Sequence, residues 1–207
     1  MQKKIVGLGI ALMLVFSLKV SAQYSKSDSN YKRFFVGSSL FLFGNFDKVN
    51  PPGFIQLNLG YRITEKDVLS VELITWKHSW PLGINPFYNE AYGTPEEKFP
   101  GNIREYGVGL AYQHYFWKGL YAAVHATPMW QTYTNENGNK VGDGFIIFNT
   151  YRIGYHVKLL KGRFFIEPSL GIAGRPYFTE MPDGFKQKDD KWPKWTPEPG
   201  LHFGFNF

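Results

Sequence analysis

Gly200-Leu-His-Phe-Gly-Phe-Asn-Phe207 closes the chain with a large apolar side chain at every second position. A β-strand repeats every two residues, so Leu201, Phe203, Phe205 and Phe207 share one face while Gly200, His202, Gly204 and Asn206 share the other. Such a strand suits lipid on one side and a polar interior on the other. Upstream, the same pattern recurs in segments near 33–43, 53–63, 67–77, 103–116, 120–132, 144–159 and 163–177, which with 196–207 make eight. It is clearest in the second, where Ile55, Leu57, Leu59, Tyr61 and Ile63 oppose Gln56, Asn58, Gly60 and Arg62. In the fourth, Tyr106, Val108, Leu110 and Tyr112 oppose Glu105, Gly107, Gly109 and Ala111.

The connections alternate in length, as an up-and-down barrel in an outer membrane requires. Thr64-Glu-Lys66, Trp117-Lys-Gly119 and Lys161-Gly162 make tight turns, expected on the periplasmic side. The longer connections, 44–52, 78–102, 133–143 and 178–195, are expected outside the cell. A soluble ligand-binding barrel would turn the apolar face inward. That would crowd Tyr106, Tyr112, Tyr151, Tyr155, Phe164 and Phe203 into a narrow interior and leave a glycine-rich surface outside. Turned the other way, the glycines make room in the lumen and tyrosines near strand ends form interfacial girdles. The expected fold is therefore all-β, a transmembrane up-and-down antiparallel β-barrel of eight strands.

The N-terminus fits this reading. Met1-Gln-Lys-Lys4 is a positive n-region, 5–18 is an apolar core and Val20-Ser-Ala22 offers small residues for cleavage. Residues 1–22 are thus expected to be a secretory signal, 23–32 a short lead and 33–207 the barrel. The apolar run ends at Lys19, too soon to cross about 30 Å of hydrocarbon as a helix. The chain has no cysteine, so disulfides, thiolate catalysis and a lipoprotein anchor are not expected. Removal of Lys3, Lys4 and Lys19 with the signal leaves 20 basic against 17 acidic side chains. The basic pI of 9.3 therefore says little, and no motif supports nucleic-acid binding. No cofactor and no metal are expected.

With its alternating last strand ending in Phe207, the chain resembles bacterial outer-membrane β-barrels, whose closing phenylalanine is read by the barrel assembly machinery. The resemblance implies Phe207 as an assembly signal, outer-membrane lipid and lipopolysaccharide as surroundings, and a monomer. On the face opposite lipid stand Arg62, Glu72, Glu105, Arg152, Glu167, Arg175 and Glu198, with His125, His156 and His202. Isolated charges in a narrow interior are costly, so these groups are expected to pair into a polar plug, as in barrels resembling the OmpA and OmpX families. The role expected from this is surface interaction or envelope integrity.

Two alternatives carry chemistry. Some eight-stranded barrels deacylate or acylate lipid A, and the lipid A deacylase family carries His-x-Ser on one strand. The nearest approach here is His125-Ala-Thr127, with Thr in place of Ser, Pro128 next and the pair assigned to the lumen instead of lipid. A small-solute channel would need the charged plug to rearrange, since eight strands enclose little more than their own side chains. The outer loops supply a binding surface: Trp80, Tyr88 and Tyr92 in one, Lys188, Lys191, Trp192 and Trp195 in another. Rings stack on sugars and ammonium groups pair with phosphates, which suits glycan or lipopolysaccharide. Asn135-Glu-Asn-Gly-Asn139 is expected to be a hairpin turn.

Overall fold

The structure, a computed structural model, describes residues 31–46, 51–81 and 94–207. The signal assigned to 1–22, most of the lead, and Tyr88 and Tyr92 lie outside the described residues. The strand segments are β1 (Phe34–Ser39), β2 (Ile55–Arg62), β3 (Asp67–His78), β4 (Gly101–Trp117), β5 (Leu120–Asn135), β6 (Lys140–Tyr155), β7 (Val157–Leu159), β8 (Phe164–Phe178) and β9 (Trp195–Asn206). Sequential neighbours pair antiparallel from β1 to β6, β8 pairs with both β6 and β9, and β9 returns to β1. The ladder breaks for one residue at His156, next to Tyr155, which by register faces Pro168, a residue with no N–H. With β7 as the continuation of β6, the ring is a closed up-and-down barrel of eight strands, the architecture expected from the sequence.

Three boundaries differ from that expectation for local reasons. The first strand ends at Ser39 and gives way to a 3-10 helix (Leu40–Phe46), where a strand to residue 43 was expected. The Ser39 hydroxyl accepts the Phe41 N–H at 3.1 Å and starts the turn. The Asn45 side chain then clips Phe54 through both its N–H and its C=O, at 2.7 and 2.6 Å. Next, β5 and β6 run on to a hairpin at 136–139, with Asn135 N–H donating to Asn139 O at 2.9 Å and Gly138 at φ +80°. The connection expected over 133–143 is thus short. Finally, the last long connection contains a helix, α1 (Asp183–Asp189).

At the opposite end Lys118 and Gly119 both take positive φ, 44° and 95°, so β4 and β5 meet in the primed type of turn that matches strand twist.

The faces alternate as read. Leu57, Leu59, Leu69, Val71, Leu73, Val108, Leu110, Ile153, Leu170 and Ile172 are exposed on the outer surface. Aromatics bound this band above and below. Toward the long connections Trp130, Phe145 and Tyr177 sit ring to ring, and Trp195 stacks on Tyr151. At the turn end Phe34 meets Tyr61 and Phe207, and Phe116 and Trp117 are exposed. From Tyr106 to Phe116 the strand advances ten residues, which at ~3.4 Å per residue and a tilt of ~40° gives a band ~25 Å tall.

Candidate functional site

The interior is layered. At the turn end Phe35, Val68, Tyr115, Tyr121 and Ala123 form an apolar cluster. Glycines make room for it: the Phe35 ring lies where a Cβ on Gly60 would be, and the Tyr121 ring does the same at Gly154. The Arg62 guanidinium stacks on Phe35, 5.2 Å from the ring centre, and donates to Lys32 O at 3.3 Å. Directly above, His156 Nδ1 and Glu167 Oε1 are 2.7 Å apart, and the same oxygen accepts from Gln113 at 3.0 Å and Tyr115 at 3.3 Å. The free space at this level is about 30 Å³.

Halfway up, His125 Nδ1 meets Glu72 Oε1 at 3.0 Å, and the His202 ring stacks on His125 at 6.5 Å. Arg152 donates to Ser169 at 3.1 Å and to Glu198 at 3.3 Å. Seven of the ten lumen residues named from the sequence thus lie in one ion pair, two histidine–carboxylate hydrogen bonds and one ring contact. Glu105 and Arg175 are drawn higher, to other partners. Glu105 accepts from Gln131 at 2.6 Å and faces His78 at 3.6 Å, while Gln131 accepts from the Tyr133 hydroxyl at 2.7 Å. Arg175 holds the buried Asp189 of α1 in a two-pronged pair at 2.8 and 3.0 Å.

Between these polar levels the lumen is largely apolar, which the alternation pattern did not suggest. Phe41, Phe54, Ile74, Trp76, Met129, Ile146 and Phe148 line a cavity of about 350 Å³ whose floor carries Glu72, His125 and Arg152. Phe41, Phe54 and Trp76 pack edge to face above it. Thr127 lines the cavity beside His125, as their two-residue spacing requires. The contact a nucleophile and base would share is not formed: among the described residues no hydroxyl is hydrogen-bonded to His125, whose Nδ1 is engaged by Glu72.

The mouth is covered from above. Phe185 of α1 is buried with Met181 against Phe99, Ile103 and Tyr133. Lys191 pairs with Glu97 at 2.9 Å, the Trp192 indole donates to the other Glu97 oxygen at 3.3 Å, and Lys188 donates to Glu96 O. The Trp80 indole donates to Thr94 O at 3.2 Å. Lys188, Lys191 and Trp192 thus fasten two loops to each other, Trp80 bonds within its own loop, and Trp195 lies on the outer wall of β9 instead of in a loop. Asp189, His78 and Gln131 were missed by sequence reading. His78 was open to detection, since it continues the inward series Glu72, Ile74 and Trp76. Asp189 was not, because its burial depends on a helix inside a charged run.

The Lys191 ammonium, and after it the Trp192 indole, holds the Glu97 carboxyl below its ordinary value of 4.5. A carboxylate lowered in the folded state adds stability that is full above the ordinary value and is lost as pH falls through the lowered one. Near-ultraviolet circular dichroism of the loop tryptophans is expected to show the loops loosening as pH falls below the ordinary carboxylate value, and Glu97→Gln to show that looser state already at neutral pH. A variant with the acid transition of the wild type would place the pH sensitivity elsewhere.

No family model and no curated relative matches the chain. Among solved structures it is similar to CarO of Acinetobacter baumannii, at 14% identity and a TM-score of 0.38 over 84% of this chain and 96% of that one. It is also similar to CarO2 of the same organism, at 12% identity and a TM-score of 0.40 over 86% and 100%. The fold rests on the hydrogen-bonded ring and the outward apolar band of the chain itself.

Proposed function

We propose that the protein is an outer-membrane β-barrel that acts in surface interaction or envelope integrity and does not serve as an open pore. The observation that carries this reading is the outer wall, a band of exposed leucine, isoleucine and valine bounded by two aromatic levels. Water does not tolerate so large an apolar surface, whereas bilayer hydrocarbon flanked by its interfaces fits its height. The long connections then face the outside, and Phe207 ends the chain at the periplasmic rim. Lipopolysaccharide is the neighbour this placement implies.

Against conduction stand the aromatic and hydrogen-bonded levels near the turn end, where only about 30 Å³ is free. The purified barrel, reconstituted in a planar bilayer, is expected to be electrically silent. Stepwise conductance would overturn the occluded lumen while leaving the membrane placement standing.

A further inference from the structure

The barrel ladder does not close over its whole height. On β1 the last pairs are Gly37 with Asn58 of β2 and Ser39 with His202 of β9. Both neighbours continue past that level, each still paired on its far side: β9 with β8 up to Trp195, and β2 with β3 up to Ile55. Where β1 would have run between them the chain has already turned into the 3-10 helix, but it stays tied to β2 through the Ser38 hydroxyl on Gln56 O and the Asn45–Phe54 clip, so the gap in the wall lies on the β9 side. Unpaired backbone at membrane depth is costly, and a barrel normally avoids it by full closure.

The β9 edge along this gap is built so that it cannot zip. Phe207 N–H donates to Phe34 O at 3.0 Å, toward β1, and Asn206 N–H to Arg163 O at 2.7 Å, on the opposite flank. Direction alternates along a strand, so the backbone nitrogens of 205, 203, 201, 199 and 197 all point toward β1. The last two belong to Pro199 and Pro197, which have no N–H to offer, while the ladder to β8 on the other flank is unaffected. The gap spans 197–201, between Trp195 of the upper aromatic level and Phe205 of the lower one, and so lies within the apolar band in its half nearer the long connections.

The 350 Å³ cavity opens at this place. Its wall includes Pro197, Pro199 and Leu201 from the outer face of β9 together with Trp76, Met129 and Ile146 from the interior. We propose that the gap admits an acyl chain of an outer-leaflet lipid, which lies in the upper lumen against Trp76 and Ile146 while the headgroup stays outside near Lys194. This rests on the membrane placement proposed above. An acyl chain is the occupant that fits, because the opening lies at hydrocarbon depth and most of the exposed wall is apolar, with the lining Glu105 and Arg175 engaged by Gln131 and Asp189. The floor charges are already committed to Glu72–His125 and Arg152–Glu198 pairs, and α1 covers the route from water above. A cavity of this size matches the small-ligand range.

Two full-length single-tryptophan chains test the proposal, one keeping only Trp76 and the other only Trp130, with the remaining tryptophans changed to Phe. Trp130 is exposed on the outer wall and reports insertion. In phosphatidylcholine vesicles with dibrominated stearoyl chains, emission of Trp130 is expected to be quenched by lipid contact, and that of Trp76 to be quenched comparably although it faces inward. Ala173→Phe, which fills the cavity, is expected to restore Trp76 emission and leave Trp130 quenched. Quenching of Trp130 with Trp76 unaffected would overturn lateral entry and spare the membrane reading, whereas loss of quenching at Trp130 would overturn both. Quenching of Trp76 by free brominated fatty acid but not by the phospholipid would also overturn entry from the leaflet.

Discussion

Gly204→Val is expected to leave the chain unable to close into a ring. Gly204 lies on the seam between the first and last strands, directly opposite Gly37. A Cβ there would sit 2.6 Å from the carbonyl oxygen of Val36 and 2.4 Å from the Phe165 ring. The ring can swing away, but the carbonyl belongs to the backbone and moves only if β1 moves. β1 is a short strand with few pairs to spare, so displacement at this point costs the contact that turns a sheet into a barrel. Overpacking in a core that can relax costs ~1–3 kcal/mol, and here relaxation is blocked. Refolded into detergent micelles, the wild-type chain is expected to keep a trypsin-resistant core and the variant to be digested throughout. Phe165→Leu added to the variant is expected not to restore the core, since the carbonyl remains. Equal protection of variant and wild type would contradict the closure described here.

Glu167→Ala is the second large effect. One carboxylate oxygen receives His156, Gln113 and Tyr115, and His156 has no solvent exposure. Truncation removes the acceptor from the buried His156 and Tyr115 and the half-buried Gln113, and breaking a buried pair from one side costs ~3–5 kcal/mol. Equilibrium urea unfolding in micelles is expected to show a loss of that size. Glu167→Gln keeps an oxygen in place and is expected to recover most of it. A loss within the ~0.5 kcal/mol typical of surface changes would mean that this level does not hold the lumen together.

How far the sequence carried the reading follows from the physics of strands. Period-two alternation depends only on the pleat, so the outward series of β2, β4 and β9 was visible in the residues, as was the ring they imply. Turns with a fixed chemical signature, such as Lys118-Gly119, were equally plain. What was not visible arose where a side chain overrides the pattern: Ser39 and Asn45 bend the first strand away early, and Pro168, opposite Tyr155, interrupts the ladder just before His156. The candidate site divides in the same way. Which residues face inward could be read, but which of them meet depends on register and shear. Arg175, with its partner in α1, is one example, and Glu105 paired to His78 is another. The apolar upper lumen was hidden for a further reason. Both faces of β6 are apolar around Phe145 to Phe148, so hydrophobicity there does not tell lipid from cavity.

The gap beside β9 gives the prolines of Trp195-Thr-Pro-Glu-Pro-Gly200 a physical meaning. Within a fully paired strand they would cost hydrogen bonds, and here they face an edge that has no partner. A cavity reached from the side, beneath loops locked by α1, differs from both a pore and an inert plug.

The most direct test of the central claim is electrophoresis of the outer-membrane fraction from expressing cells, with and without heating in detergent. An outer-membrane β-barrel is expected in that fraction, running as a compact fast band unheated and at its full 23.9 kDa chain mass, less any cleaved signal, after boiling. A chain recovered as soluble periplasmic protein, with the same mobility before and after heating, would contradict the account.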